Sequence, residues 1–208
     1  MAVNRQRRAG RPPKGEAALD VPRIVEAAWA LVDEVGLAGL STRTLAAALQ
    51  VKSPALYWHV RSKEELLGLM MEHLLLDTLV GVSSALGWKA WLKEVVGRQR
   101  RLLLSHRDSG LIASLAPPSQ RLRNQVFDQM VAPLLEGGIS PTIASAAAGG
   151  MASFVLGWVI YEQRPETRAF MEAYHDPDSA FELLLEAFVN GIADAAARSD
   201  ERSARGGS

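Results

Sequence analysis

The segment SPALYWHV, which starts at Ser53, places three large aromatic side chains next to one another in the chain. Ser53 and Pro54 are typical of a helix N-terminus, as the N-cap and the first helical residue. Consecutive residues of a helix point about 100° apart, so Tyr57, Trp58 and His59 cannot all pack into one core. We therefore expect at least one of these rings to face solvent or a binding partner.

Other residues could support catalysis or hold a metal, but each lacks the companions that its chemistry needs. The run His-Arg-Asp at 106–108 is similar to a kinase catalytic loop, yet no Gly-rich loop accompanies it, and we expect polar pairs at a helix end instead. The run His-Asp-Pro-Asp at 175–178 has no second cluster to complete a metal site, and Glu72-His73 lacks a second histidine. There is no nucleophile elbow. We predict no enzyme, no metal and no cofactor.

Charge is divided unevenly along the chain. Residues 1–63 carry ten Lys and Arg against five Asp and Glu, whereas residues 64–208 carry thirteen against eighteen. This division predicts that the first third contacts a polyanion. The chain has no cysteine, which fits a reducing cytoplasm, and its basic N-terminal stretch lacks the apolar region of a signal peptide.

Helical periodicity accounts for most of the chain, and no alternating run indicates a strand. Gly36 is the expected stop of the first helix, and Ser62 with Glu65 forms a capping box for the fourth. The predicted helices cover residues 21–35, 42–49, a third starting after Ser53, a fourth starting after Ser62, 88–105, 119–135, 142–163 and 179–197. The predicted fold class is all-α.

The stretch from Gly137 to Tyr161 carries no charge and is long enough to span a bilayer. It is built largely of Ala and Gly, which let two helices approach closely. We favour a helix buried in a subunit interface over a membrane span, and expect no membrane partner.

Three short helices, the last two joined by the three residues 50–52, indicate a helix-turn-helix module. In that module the last helix enters the DNA major groove. Leu56 and Val60, four residues apart, can anchor this helix, so that the three rings at 57–59 face DNA. The alternative is that these aromatics fill a crevice of the same domain.

The run GLAGLSTRTLAAALQVKSPALYWHVRSKEELL at 36–67 resembles the DNA-binding domain of the tetracycline-repressor family. The LYWHV core and the following Lys63 are particularly similar to the tetracycline repressors, and the similarity continues through residues 88–92, 105–108 and 154–157, weakly after residue 110. The resemblance implies a homodimeric, ligand-responsive transcriptional regulator, usually a repressor, on a near-palindromic operator of double-stranded DNA. It implies four parts: a flexible basic arm (1–19), a three-helix DNA-binding domain (20–67), a helical effector-binding and dimerisation domain (68–197) and a disordered tail (198–208).

The resemblance also implies the DNA contacts: Thr42, Arg43, Ser53, Pro54, Ala55, Tyr57, Trp58, His59 and Lys63. Arg43 can bind guanine O6 and N7 together, and Pro54 and Ala55 can pack on a thymine methyl. The side chains at 57, 59 and 63 suit phosphates.

Two residues depart from the family's pattern. Ser53 stands where the tetracycline repressors have an amide side chain that reads adenine, so we expect a different operator sequence. Gln50 stands where the turn commonly has glycine, which costs about 1 kcal/mol if the residue is left-handed. In the arm, Arg8 and Arg11 are predicted to enter an A·T-rich minor groove, the alternative being a solubilising tail.

In the effector domain, the resemblance and the apolar residue types imply a pocket lined by Trp88, Trp91, Val95, Gln99, Ala113 and Tyr161. The magnesium-binding histidine of the tetracycline repressors aligns with Ala113, so we do not expect magnesium-tetracycline as the ligand. An organic effector with few charges fits this set better. Two alternatives stay open: the aromatics can be ordinary core residues, and the regulator can respond to a protein or to no ligand.

Overall fold

The computed structural model describes residues 19–115 and 120–206, and in these two ranges all regular structure is helical. The helices are α1 (Val21–Gly39), α2 (Thr42–Ala48), α3 (Ser53–Tyr57), α4 (Lys63–Leu79), α5 (Trp88–Leu104), α6 (Ser109–Leu115), α7 (Gln120–Glu136), α8 (Pro141–Glu162), α9 (Pro165–Glu172) and α10 (Pro177–Gly206). A single 3₁₀ turn, Ser84–Leu86, precedes α5. The all-α prediction is confirmed.

Helix α1 forms because its apolar residues recur at helical spacing and because Asp20 caps its start. The Asp20 carboxylate accepts a hydrogen bond from the Arg23 amide at 3.0 Å. Ile24, Ala28 and Val32, each four residues apart, are buried on one face. Gly36 breaks the helix as expected, with φ of +75°, after which one further turn reaches Gly39.

Helix α2 packs on α1 and α3 packs on α2, around a small apolar core that includes Leu45, Leu56 and Val60. A capping box between Ser41 and Thr44 starts α2. The prediction of Ser53 as N-cap is wrong by one residue: α3 begins at Ser53 and its N-cap is Lys52.

Helix α4 packs on α1 and also on α5 and α6, so it connects the first three helices to the rest of the chain. Ser62 caps it by accepting a hydrogen bond from the Glu65 amide at 3.1 Å. The predicted capping box is only half formed, because the Glu65 carboxylate accepts from the Arg61 amide at 2.7 Å instead of the Ser62 amide.

The second domain is organised around α5 and α8, whose buried residues include Leu92, Val96, Val155 and Val159. Helices α6 and α9 were not among the predicted elements, because seven- and eight-residue helices give little periodicity. Helix α10 continues to Gly206 and so includes most of the segment predicted as a disordered tail.

A buried ion pair fastens α5 to α8 and α10. The Arg100 guanidinium donates two hydrogen bonds to Glu162, at 2.8 and 2.5 Å, and one to Asp178 at 2.6 Å. Burial disfavours the charged guanidinium, but its two carboxylate partners outweigh that effect and raise the pKa of Arg100. Within the 175–178 run, Asp178 thus pairs with Arg100, while Asp176 caps α10 through the Ser179 amide, a bond that lowers the pKa of the Asp176 carboxyl.

Candidate nucleic-acid interface and effector domain

The outward surface of α3 and the residues after it carry aromatic side chains that do not pack into the core around Leu56 and Val60. Leu56 and Val60 are fully buried, and α3 packs against α2. Trp58 is 87% exposed and Tyr57 is 48% exposed, whereas His59 is half-buried. Packing within the chain does not explain a large apolar side chain that is this exposed. Contact with a partner surface explains it best.

The start of α2 lies beside this surface. The Thr42 hydroxyl is 3.4 Å from the Tyr57 hydroxyl, so the two helices present one continuous face. Arg43 is exposed on the next position of α2, and the structure shows no ion pair between it and the described residues. The first turn of α3, with Ser53, Pro54 and Ala55, is also exposed. The structure therefore brings these predicted DNA contacts together.

The turn between α2 and α3 depends on Gln50. Its φ is +57°, the left-handed conformation that the sequence analysis considered. The Gln50 and Val51 amides donate to the Ala47 and Ala46 carbonyls, at 3.1 and 3.0 Å, and close the turn. This geometry sets the angle between α2 and α3.

Lys63 is placed differently from the exposed contacts. Its ammonium group donates a hydrogen bond to the Leu37 carbonyl at 2.9 Å, and the side chain is half-buried. In this structure Lys63 fastens the start of α4 to the end of α1 and does not stand free for a phosphate. The predicted minor-groove residues Arg8 and Arg11 lie outside the described residues.

The end of α1 also contacts the loop between α5 and α6, and we call this set, Asp33, Leu37 and residues 106–108, the domain junction. The Leu37 amide donates to the Asp108 carboxylate at 2.8 Å. The Asp33 carboxylate accepts from the Arg107 amide at 2.8 Å and lies 2.9 Å from His106 Nδ1. The prediction of polar pairs at a helix end is confirmed for this run.

Two further features make the domain junction close-fitting. The His106 ring stacks on Trp29 of α1, with centroids 4.3 Å apart. A Cβ at Gly36 would lie 3.2 Å from both the Arg107 guanidinium and the Asp108 carboxylate, so glycine permits this approach. The sequence analysis assigned the domain junction no functional role. The feature that could have indicated one is the compact polar run at 106–108, which directly follows an amphipathic helix.

The predicted effector residues fall into two groups. Trp91, Val95 and Gln99 recur every four residues along α5 and are all buried. Trp88 and Ala113 are half-buried, and Gly137 packs directly against the Trp88 ring. Tyr161 is 52% exposed on α8, so the structure does not bring it into the interior with the others.

Several concave regions formed by described residues lie elsewhere, and three of them adjoin helices discussed above. A cleft of about 430 Å³ next to the domain junction includes Trp29 and His106, and one of about 850 Å³ lies between α5 and α10. A groove of about 650 Å³ lies between α8 and α10. None of the predicted effector residues lines these three regions.

The α8–α10 groove is uncharged along its whole length. Its lining includes small residues of α8, such as Ala146 and Gly150, and large apolar residues of α10, such as Leu184 and Phe188. By length and composition alone, α8 is apolar enough to cross a membrane, and one third of its most apolar window is buried within the chain.

Comparison with known proteins identifies this architecture. Residues 24–70 match the family model described as bacterial regulatory proteins, tetR family. The chain is 33% identical over 174 residues to the class E tetracycline repressor protein of Escherichia coli, covering 83% of this chain and 81% of that protein. It is 32% identical over 193 residues to the class A repressor from transposon 1721, also from Escherichia coli, covering 82% and 88%. The chain belongs to the TetR family.

Solved structures of TetR-family proteins superpose on most of the chain. A TetR variant from Acinetobacter baumannii AYE in complex with minocycline is 29% identical, with a TM-score of 0.72, covering 86% of this chain and 98% of that one. ActR from Streptomyces coelicolor in complex with actinorhodin is 26% identical, with a TM-score of 0.74, covering 87% and 98%. These relatives are transcriptional regulators and not enzymes, and they confirm the predicted fold with its N-terminal helix-turn-helix domain.

Proposed function

We propose that this TetR-family protein is a dimeric cytoplasmic repressor that a small organic effector releases from a near-palindromic operator. The exposure of Trp58 beside Tyr57, on a helix anchored from behind, is the observation that carries the proposal. Such a surface is useful to a protein that inserts it into a major groove.

The contacts divide into those that read bases and those that position the protein. Arg43 is exposed and can bind a guanine edge with two hydrogen bonds, while Pro54 and Ala55 can meet a thymine methyl. Tyr57 and His59 are proposed to contact the phosphates on either side. Ser53 cannot make the paired hydrogen bonds of an amide to adenine, so the operator differs from those of the tetracycline repressors.

Dimerisation is proposed through the α8–α10 groove. Its lining has no charged residue, and a Cβ at Gly150 or Gly191 would meet open space, so a second copy can approach closely. Phe188 lies 43% exposed at its edge. Two-fold symmetry then places the recognition helices about one DNA turn apart, or somewhat more, on a near-palindromic site.

The effector is proposed to bind inside residues 68–197, as minocycline and actinorhodin accompany the two relatives above. Apolar residues predominate on the buried face of α5, and Ala113 offers no ligand to a metal. The effector would favour a state in which the two recognition helices no longer match successive grooves. By linkage it must bind the DNA-free protein more tightly than the complex.

Selection of bound sequences from random DNA tests this function. The wild-type protein should enrich a near-palindromic site and bind it as a dimer, and Trp58→Ala should weaken that binding while the fold, followed by circular dichroism, stays intact. Enrichment of no sequence, or equal binding by Trp58→Ala, would overturn the assignment of this surface. A dimer that binds the site but is released only by another protein would refute the small-molecule effector.

A further inference from the structure

The residue before α3 departs from what the start of a helix favours. Lys52 occupies the N-cap position of α3, where Ser, Thr, Asp and Asn are preferred because their short side chains bond the exposed amides of the first turn. The Lys52 side chain makes no such capping hydrogen bond, and its carbonyl alone contributes, by accepting from the Ala55 amide at 2.8 Å. The Lys52 side chain therefore does little for the stability of α3.

The Lys52 side chain is available to a partner outside the chain. It is exposed, and the structure shows no hydrogen bond or ion pair between its ammonium group and the described residues. Lys63 is different, because its ammonium group is bound to the Leu37 carbonyl. A local preference that is broken without a gain inside the chain is expected at functional positions. The charge of Lys52 therefore points to an acceptor on a binding partner.

Lys52 and Arg43 lie at opposite ends of α3. Thr42, next to Arg43, has its hydroxyl 3.4 Å from the hydroxyl of Tyr57, the last residue of α3, whereas Lys52 precedes the first residue of that helix. In helix-turn-helix proteins the first residues of the recognition helix contact base edges in the major groove. In the proposed complex, Lys52 is thus placed at that edge and over different base pairs from Arg43.

The side chains that follow Lys52 are too short to compete with it for the bases. Ser53, Pro54 and Ala55 are exposed on the first turn of α3, and each ends close to the backbone. Lysine carries its ammonium group on a flexible four-carbon stem, so it can extend past these residues towards the floor of the groove. Guanine presents two acceptors there, O6 and N7, which Arg or Lys binds in the commonest specific contact to DNA.

We propose that Lys52 reads a guanine in each half of the operator, through the O6 and N7 acceptors in the major groove. This proposal rests on the proposed function, in which α3 enters that groove. It adds a specificity-determining residue at the end of α3 opposite to Arg43, and it predicts a second guanine in each half-site.

Parallel selections from random DNA test the proposal, with the full-length wild type, Lys52→Met and Arg61→Ala. Lys52→Met removes the charge and keeps most of the stem, and it should lose the preference for guanine at one position of each half-site while keeping the others. Arg61 is exposed shortly before α4 and outside α3, so Arg61→Ala removes an equal charge and should keep every guanine preference. If Lys52→Met selected the same site as the wild type, the proposal would be overturned.

Fluorescence anisotropy on the selected operator separates base reading from phosphate contact. Replacing the guanine by adenine keeps N7 but exchanges the O6 acceptor for a donor. That replacement should weaken wild-type binding by about 5- to 150-fold and binding by Lys52→Met by much less. If Lys52→Met instead weakened both operators by one common factor and lowered the salt slope by about one, Lys52 would contact a phosphate, and the proposal would be overturned.

Thermal unfolding of the DNA-free protein shows whether Lys52 serves DNA binding or α3 itself. Lys52→Ser supplies a preferred N-cap side chain, so it should raise Tm by about 2–4 °C and yet lose the selection of guanine. An unchanged or lower Tm would show that Lys52 already stabilises α3 as well as a preferred cap does, and would overturn the proposal.

The two proposals fail in distinguishable ways. A wild-type protein that enriches no sequence refutes the proposed function, while the unfolding experiment still reports on Lys52. A protein that binds a near-palindromic operator, but whose base preferences do not depend on Lys52, retains its proposed function and loses only this contact.

Discussion

Gln50 shows how a single residue can carry strain for the geometry of a binding surface. With φ of +57°, it adopts a conformation that glycine tolerates and that costs an ordinary residue about 1–2 kcal/mol. The turn that Gln50 forms fixes the angle between α2 and α3. The Gln50 and Val51 amides both donate hydrogen bonds within this turn. The strain is local and should be removable without altering the surface that contacts DNA.

Gln50→Gly should raise the free energy of unfolding by about 0.5–1 kcal/mol. Relief of the left-handed strain exceeds the extra backbone entropy that glycine gains in the unfolded chain. Urea denaturation measures the change as a shift of the midpoint at constant slope. Gln50→Ala is the control, because it shortens the side chain and keeps the Cβ. If alanine stabilised the protein as much as glycine did, strain at φ would not be the cause.

Arg43 is the residue for which a base-reading role makes the sharpest prediction. Arg43→Ala should cost about 1–3 kcal/mol of binding free energy on the selected operator and much less on random DNA, because phosphate contacts survive. Arg61→Ala removes an equal charge from the same domain and should weaken both DNAs by similar factors. Fluorescence anisotropy with both DNAs at several salt concentrations checks this. Equal losses on both DNAs for Arg43→Ala would remove its base-reading role.

At the scale of elements, local signals predicted much of the DNA-binding domain. Ser62, Gly36 and the buried pair Leu56 and Val60 act within one or two helical turns, so their roles are visible in sequence. The partners of the polar run at the domain junction could not be predicted from local sequence, because the junction joins Leu37 to Asp108, 71 residues away. Short helices such as α6 and α9 were missed for a related reason, since tertiary packing and not periodicity defines them.

The Asp108 side chain supplies a contact that the junction needs. Leu37 is buried, so loss of the Asp108 carboxylate leaves its amide without an acceptor. Asp108→Ala should lower the free energy of unfolding by about 1–3 kcal/mol. Asp108→Asn should cost much less, because asparagine keeps an acceptor and tolerates the φ of +55° found here.

Denaturation of both variants decides the role of Asp108 in stability, and operator affinity shows whether the junction also orients the DNA-binding domain. A loss of affinity confined to Asp108→Ala would support that coupling. If asparagine and alanine were equally destabilising, the hydrogen bond to Leu37 would not explain the effect.

At the scale of the whole molecule, the sequence predicted the buried face of α5 but not the position of every predicted effector residue. Trp91, Val95 and Gln99 were predictable as one face of α5 from their spacing. The exposure of Tyr161 was not, because it depends on how α8 is rotated against its neighbours. The ion pair of Arg100 with Glu162 and Asp178 spans 62 and 78 residues and likewise leaves no local pattern. The charge-free run of α8 did predict an apolar surface that one chain does not bury.

That surface gives the last prediction. Phe188→Asp should convert the protein to a folded monomer, because it places a charge in an uncharged groove that the second copy must cover. Sedimentation velocity measures the oligomeric state. Leu183→Asp is the matched control: Leu183 is 70% exposed on the same helix and does not line the groove, so that variant should stay dimeric. Operator affinity should follow the oligomeric state, since a monomer binds one half-site and loses an avidity of about 100-fold or more. A dimeric, folded Phe188→Asp protein would show that the two copies meet elsewhere.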